Sequence, residues 1–191
     1  MRTLLVGTLM LFATSAHAQT TITPSQTRLI GCFGEAFTLV EHVWRIAPKH
    51  LAQLTEQARN SQTDARRQFL DGFVSAAVLA DQESALAVAR NLNGCLSEAA
   101  AGTTPDQTTA ILATAIRTEL DSALEDVAEL MKREEAARPS LQQAVRSTPS
   151  DHALDTPLDT YLAFGERIKN ELLRLRARAD ALIAAATPKE R

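Results

Sequence analysis

The sequence predicts an all-α protein: an antiparallel bundle of about four long helical arms, closed by one disulfide. Three observations predict it. Of 191 residues, 33 are alanine and 7 are glycine, and aromatics make up 4%. Alanine is the best helix former, glycine serves where the backbone turns tightly, and the residues that favour strands are sparse. Apolar residues recur every three or four positions through four long stretches, the period of one helix face. A helix start signal also occurs three times, as Thr23-Pro24-Ser25-Gln26, Thr104-Pro105-Asp106-Gln107 and Thr156-Pro157-Leu158-Asp159. In each, threonine serves as N-cap, proline takes the first helical position, and Gln or Asp near the third position helps satisfy the helix start.

The first arm runs from Pro24 to about Asn60, with Leu29, Phe33, Phe37, Val40, Trp44, Ala47, Leu51, Leu54 and Ala58 on one face. Pro48 lies inside it and should kink or split the arm. The second runs from about Thr63 to Leu92, with Phe69, Phe73, Ala76, Ala77, Ala80, Leu86 and Val88 as its apolar set, and Asn93-Gly94 as its stop. The third, Pro105 to Ala137, carries Leu112, Ile116, Leu120, Ala123, Val127 and Leu130, and Pro139 should end it. Residues 139–156 form a connector, with room for one turn at Leu141 to Val145. In the fourth arm, Pro157 to Ala186, the residues Tyr161, Gly165, Ile168, Leu172, Leu175, Ala179 and Leu182 alternate spacings of four and three. That seven-residue repeat suits a coiled-coil dimer seam or a helix packed in its own bundle.

Charge favours the bundle. Segment 106–135 carries a net charge of −5 and segment 161–191 a net charge of +3. Arg167, Lys169, Arg174, Arg176 and Arg178 on the fourth arm complement Glu119, Asp121, Glu125, Asp126, Glu129, Glu134 and Glu135 on the third. A basic amphipathic helix can instead lie on anionic lipid, but the acidic neighbour favours packing.

The chain opens with an address. Met1-Arg2-Thr3 leads into an apolar run from Leu4 to Ala13, then a polar stretch and Ala16-His17-Ala18. This is the order of a secretory signal peptide, with residues 1–18 removed before Gln19. The apolar run is too short to span a bilayer as a helix. Residues 19–191 then form a single helical-bundle domain with a net charge of −4, periplasmic or extracellular. So small a net charge gives no global attraction to nucleic acid.

Cys32 and Cys95 are the only cysteines. In an oxidising compartment they should form one disulfide. If the first two arms make a hairpin turning near Ser61, both thiols lie at one height, roughly 45–50 Å from the turn. Cys95 would fall just past the helix stop. Closing so long a loop contributes about 4 kcal/mol in the chain-entropy model.

Sites for chemistry are few. The sequence has no Cys-x-x-Cys, His-Glu-x-x-His, Glu-x-x-His, Gly-x-Ser-x-Gly or glycine-rich phosphate loop. No catalytic residue, cofactor or metal ligand is assigned. Glu35 and His42 share a helix face and need a third ligand to hold a metal; the plainer expectation puts His42 on a solvated flank. Phe33, Phe37, Trp44, Phe69 and Phe73 either fill the core or line a pocket, and filling the core is the expectation.

The expectation is therefore an exported, non-enzymatic interaction or structural protein with a protein partner: an adaptor, chaperone or envelope component, with self-association open. The alternative is a bundle that binds a small ligand or a metal. The export expectation has a direct check. Intact-mass analysis of protein from the extracytoplasmic fraction should give a chain beginning at Gln19; a chain there retaining residues 1–18 would refute the cleavage.

Overall fold

The computed structural model describes residues 22–60, 63–72, 77–102, 106–147 and 154–186. The proposed signal peptide, Ser61, Phe73, Ala76, Thr104 and Pro105 lie outside the described residues, as does the Phe69 side chain. The helices are α1 (Pro24–Glu41), a π-helical turn (His42–Ile46), α2 (Ala47–Ala58), α3 (Thr63–Gly72), α4 (Val78–Gly102), α5 (Gln107–Ser147), α6 (Asp155–Leu162) and α7 (Phe164–Ala186). They form four arms, and the fold is the expected all-α bundle. Going round it, α1 neighbours α4, α4 neighbours α7, α7 neighbours α5, and α5 returns to α1. The first arm and α5 run parallel. Gln26 Nε2 donates to Asp106 Oδ2 at 2.8 Å at one end; at the other, Arg66 of α3 donates to the carbonyl of Asn60, just past the first arm, and reaches Ser147 Oγ at 3.4 Å.

The helix ends follow local chemistry. At α1, Thr23 accepts from the Gln26 amide and the Gln26 side chain accepts from the Thr23 amide, a complete capping box. At α5 the cap is Asp106 rather than Thr104: Asp106 Oδ1 accepts from the Thr109 amide at 2.7 Å and its hydroxyl at 2.8 Å. A carboxylate also suits the positive end of the helix dipole better than a hydroxyl. Helix α6 starts at Asp155, two residues ahead of Pro157, which still sits in the first turn where no N–H is needed.

Two expected stops are overridden. Helix α4 continues through Asn93-Gly94, because Leu92, Leu96 and Ala99 are all buried on one face. Cys95 therefore lies inside a helix, not beyond it. Helix α5 continues through Pro139 to Ser147, converting part of the expected connector into two further turns. Pro139 is exposed, so the carbonyl it leaves unpaired faces water, while Ala137, Leu141, Ala144 and Val145 pack inward. In the first arm the irregularity precedes Pro48. The π turn carries the Ala47 amide back to the His42 carbonyl and accommodates the proline one turn on.

The core is made of leucine and alanine layers, with valine, isoleucine and Phe164 between them. The second arm buries a set offset from the expected one: Leu70, Val78, Ala85, Leu86, Ala89, Leu92, Leu96 and Ala99 are inside, whereas Ala77 and Ala80 are exposed. Cys32 and Cys95 are bonded, with Cα atoms 5.7 Å apart, and tie α1 to α4. The fourth-arm repeat is buried against the protein's own helices, since Tyr161, Gly165, Ile168, Leu172, Leu175, Ala179 and Leu182 are all inside. The charge complement is narrower than expected. Arg176 pairs with Asp121 at 2.9 Å, but Arg117 of α5 reaches back to Asp180 at 2.7 Å, and Arg167 and Arg178 turn to Glu83 and Ser97 of α4.

Leu172 is fully buried and Arg174 is exposed. Leu172→Ala should therefore cost about 2–5 kcal/mol in denaturant unfolding, and Arg174→Ala less than about 1 kcal/mol. Equal losses would place the α7 seam incorrectly.

Candidate functional site

Among the described residues, the buried polar side chains form two groups. Gln26 and Thr109 belong with the Asp106 cap at one end, where the Thr109 amide and hydroxyl hold the Asp106 carboxyl below its usual range. His42, Gln82 and Glu134 are buried around the junction of α6 and α7.

That junction is a broken helix. The ladder carries the Ala163 amide to the Asp159 carbonyl at 3.0 Å and resumes with the Arg167 amide to the Ala163 carbonyl at 3.1 Å. The Tyr161 carbonyl accepts from Gln82 Nε2 of α4 at 3.2 Å, and the Glu134 carboxyl of α5 lies against Gly165, whose amide favours its charged form. Glycine gives room at 165: a Cβ there would sit 2.5 Å from Glu134 Oε2 and 2.6 Å from Met131 Cγ, so those side chains would have to shift.

Burial pushes the Glu134 carboxyl up to about 8. The Gly165 amide and Arg138 favour the charged form, and Glu166 opposes it. The Tyr161 phenol is raised as well, by its burial and then by the Glu134 charge. On the α4 side, His42 lies on the π turn with its ring edge-on to Phe164, centroids 5.8 Å apart. Burial lowers its pKa, Asp81 opposes that, and His50 adds to it. Asp81 Oδ2 stands 3.3 Å from His50 Nδ1 and 4.0 Å from His42 Nε2.

His42 is thus buried, contrary to the expected solvated flank. The first arm packs on both α4 and α5, so its flanks as well as its central stripe lie inside. Glu35 stays partly exposed and does not complete a site with it. Among the described residues, no three His, Cys, Asp or Glu side chains converge as metal ligands. Sequence reasoning missed the Glu134–Gly165 contact. Its one visible signal was Gly165 within the heptad seam, a position that normally carries a large apolar side chain.

The aromatic expectation also changes. Phe37 and Trp44 are each 52% exposed, and Ile30, seven residues before Phe37, is 47% exposed. The three form a ridge along α1 and the π turn. Phe33 beside them is partly buried against the core. Between α5 and α7 lies a groove of about 950 Å³, lined by Leu124, Met131, Leu162 and Leu173, with Lys132 and Lys169 among its charged residues. No helix among the described residues is long and apolar enough to cross a membrane. Compared with protein-family models, curated proteins and solved structures, the chain matches none.

The Glu134 contact predicts a pH dependence. Its folded pKa, about 8, exceeds the ordinary 4.5, so the folded state holds the proton more tightly. Its contribution is fully present below pH 4.5 and is lost as pH rises towards 8. Glu134→Gln keeps an acceptor for the Gly165 amide and removes the charge. It should stabilise the protein by on the order of a few kcal/mol above pH 8 and flatten the alkaline decline. Coincident stability–pH curves for the two proteins would refute the assignment.

Proposed function

We propose that this chain is an exported, non-enzymatic interaction protein whose recognition face is the Ile30–Phe37–Trp44 ridge. One observation carries the reading: three large apolar side chains at heptad spacing stand about half exposed beside a full core. Isolated exposed apolar residues are ordinary, but a continuous row including Phe and Trp matches the composition of protein-binding surfaces. The buried polar groups support a structural role. Gln82 and Glu134 are committed to backbone partners, and His42 is enclosed between Phe164 and Asp81.

Export rests on the charged–apolar–small order of residues 1–18 and agrees with the disulfide, which persists in oxidising compartments such as the periplasm or the extracellular space. A second reading, a small-ligand-binding bundle, draws on the α5–α7 groove, whose size falls in the usual range for ligand pockets.

A photo-crosslinking residue placed at Phe37 in cells should yield a discrete crosslinked protein species, and one at exposed Asn170 of α7 should not. Absence of any species from Phe37 and Trp44, together with a copurifying small molecule in native mass spectrometry, would replace this reading with the ligand-binding one.

A further inference from the structure

We infer that His42, His50 and Asp81 form an acid-operated latch, which joins the first arm to the start of α4 and opens when the cluster takes up a second proton. Three observations carry it. The cluster spans two arms: His42 is on the π turn, His50 is on α2, and Asp81 is in the first turn of α4. Its one carboxylate serves two imidazoles, with Asp81 Oδ2 3.3 Å from His50 Nδ1 and 4.0 Å from His42 Nε2. The imidazoles differ in their access to water. His50 is half-buried, whereas His42 is 7% exposed and meets the ring of Phe164.

Charge sets the order of events. The first proton goes to His50, which water reaches and whose nitrogen is the closer to the carboxylate. The ion pair is then balanced. A second proton has only His42 to go to. The carboxylate is already matched, so this imidazolium is an uncompensated charge inside the bundle. It also stands beside the first turn of α4, where the helix dipole favours Asp81 and opposes a cation. Burial lowers the pKa of His42, Asp81 opposes that, and a charged His50 adds to it. The closed pKa is therefore below the ordinary 6.5, so the latch holds above pH 6.5 and weakens as pH falls through the lowered value. Facing the same junction, Glu134 of α5 and Tyr161 of α6 stay protonated through that window. Glu83 of α4 pairs with Arg167 of α7, and Glu41 pairs with Arg45 on the outer side of the arm.

The fold confines the opening to one end. The Cys32–Cys95 bond ties the same two arms roughly 15–20 Å further along the helices. A bending point is also in place, since the π turn and Pro48 interrupt the regular ladder of the first arm where His42 sits. A proton on His42 therefore parts the start of α4 from the first arm while the disulfide end stays closed.

Hydrogen exchange of the disulfide-intact chain from about pH 7.5 to about pH 4.5, normalised to the unfolded chain at each pH, tests this. Amides of segments 43–50 and 78–86 should lose protection at least about tenfold as pH falls, the effect of one pKa unit between the closed and open states. Segments 29–36 and 92–99, around the disulfide, should keep theirs. His42→Gln removes the buried base and should abolish the loss. His50→Gln leaves the carboxylate to His42 and should lessen it, and Asp81→Asn should enlarge it. Constant protection across the range overturns the latch, and so does an equal loss at both ends, which is global acid unfolding. A loss that His42→Gln leaves in place also overturns it. If that variant does not fold, the opposite signs for His50→Gln and Asp81→Asn decide, and equal or reversed effects overturn the latch.

Discussion

The structure turns on the break between α6 and α7 at Ala163, which opens backbone polar groups inside the bundle, where unpaired ones cost about 1–3 kcal/mol each. Gln82 answers the Tyr161 carbonyl at 3.2 Å, and the Glu134 carboxyl lies against Gly165. This arrangement fixes several other features. Position 165 favours glycine, because a side chain there would displace Glu134 and Met131. The neighbouring helices α4 and α5 must supply polar residues at this level, although their inward faces are otherwise almost wholly apolar. The fourth arm is thereby held in register by hydrogen bonds as well as by leucine packing.

The same junction gathers buried titratable groups, and two of them, Glu134 and His42, oppose the fold at opposite ends of the pH scale. Glu134 favours its neutral form, so alkaline pH opposes the fold by forcing a charge into the interior. His42 also favours its neutral form, but for a base that means acid pH opposes the fold, as pH falls below its ordinary 6.5 and through its lowered pKa. Phe164 links the two sides: it is fully buried, its ring meets His42, and it immediately precedes Gly165. A charge at either group acts on one packing layer. The junction is therefore the place where pH would be felt first, ahead of the caps at the Gln26–Asp106 end.

Helix class, arm count and the disulfide were legible because each follows from local or geometric rules. Alanine content and the 3.6-residue period specify helices, and the positions of Cys32 and Cys95 about a hairpin turn specify their pairing. Thr23 behaved as a cap for the same reason. The misreadings have one physical origin. Pro139 and Asn93-Gly94 are local stop signals of about 1–3 kcal/mol, and buried Leu92, Leu96, Leu141 and Val145 outweigh them. The solvated assignment of His42 failed similarly, since a single helical wheel does not show that an arm has neighbours on two flanks. The Glu134–Gly165 contact was hidden more deeply. It joins residues from different arms and exists only once their relative height is set.

The exposure of Phe37 and Trp44 follows from the disulfide. The inner face of the first arm is already supplied by Leu29, Cys32, Ala36, Leu39, Val40 and Val43, all buried. Phe37 lies about 100° further round the helix than Ala36, so the apolar surface of this arm is wider than a four-helix core can cover. Rotating α1 to bury the ridge would carry Cys32 away from Cys95, whose Cα is 5.7 Å distant. It would also pull Gln26 from Asp106 and His42 from Phe164, contacts made on opposite flanks of the same arm. The covalent bond and these flanking contacts therefore fix the rotation of α1. The surplus apolar face has no route into the core of its own chain.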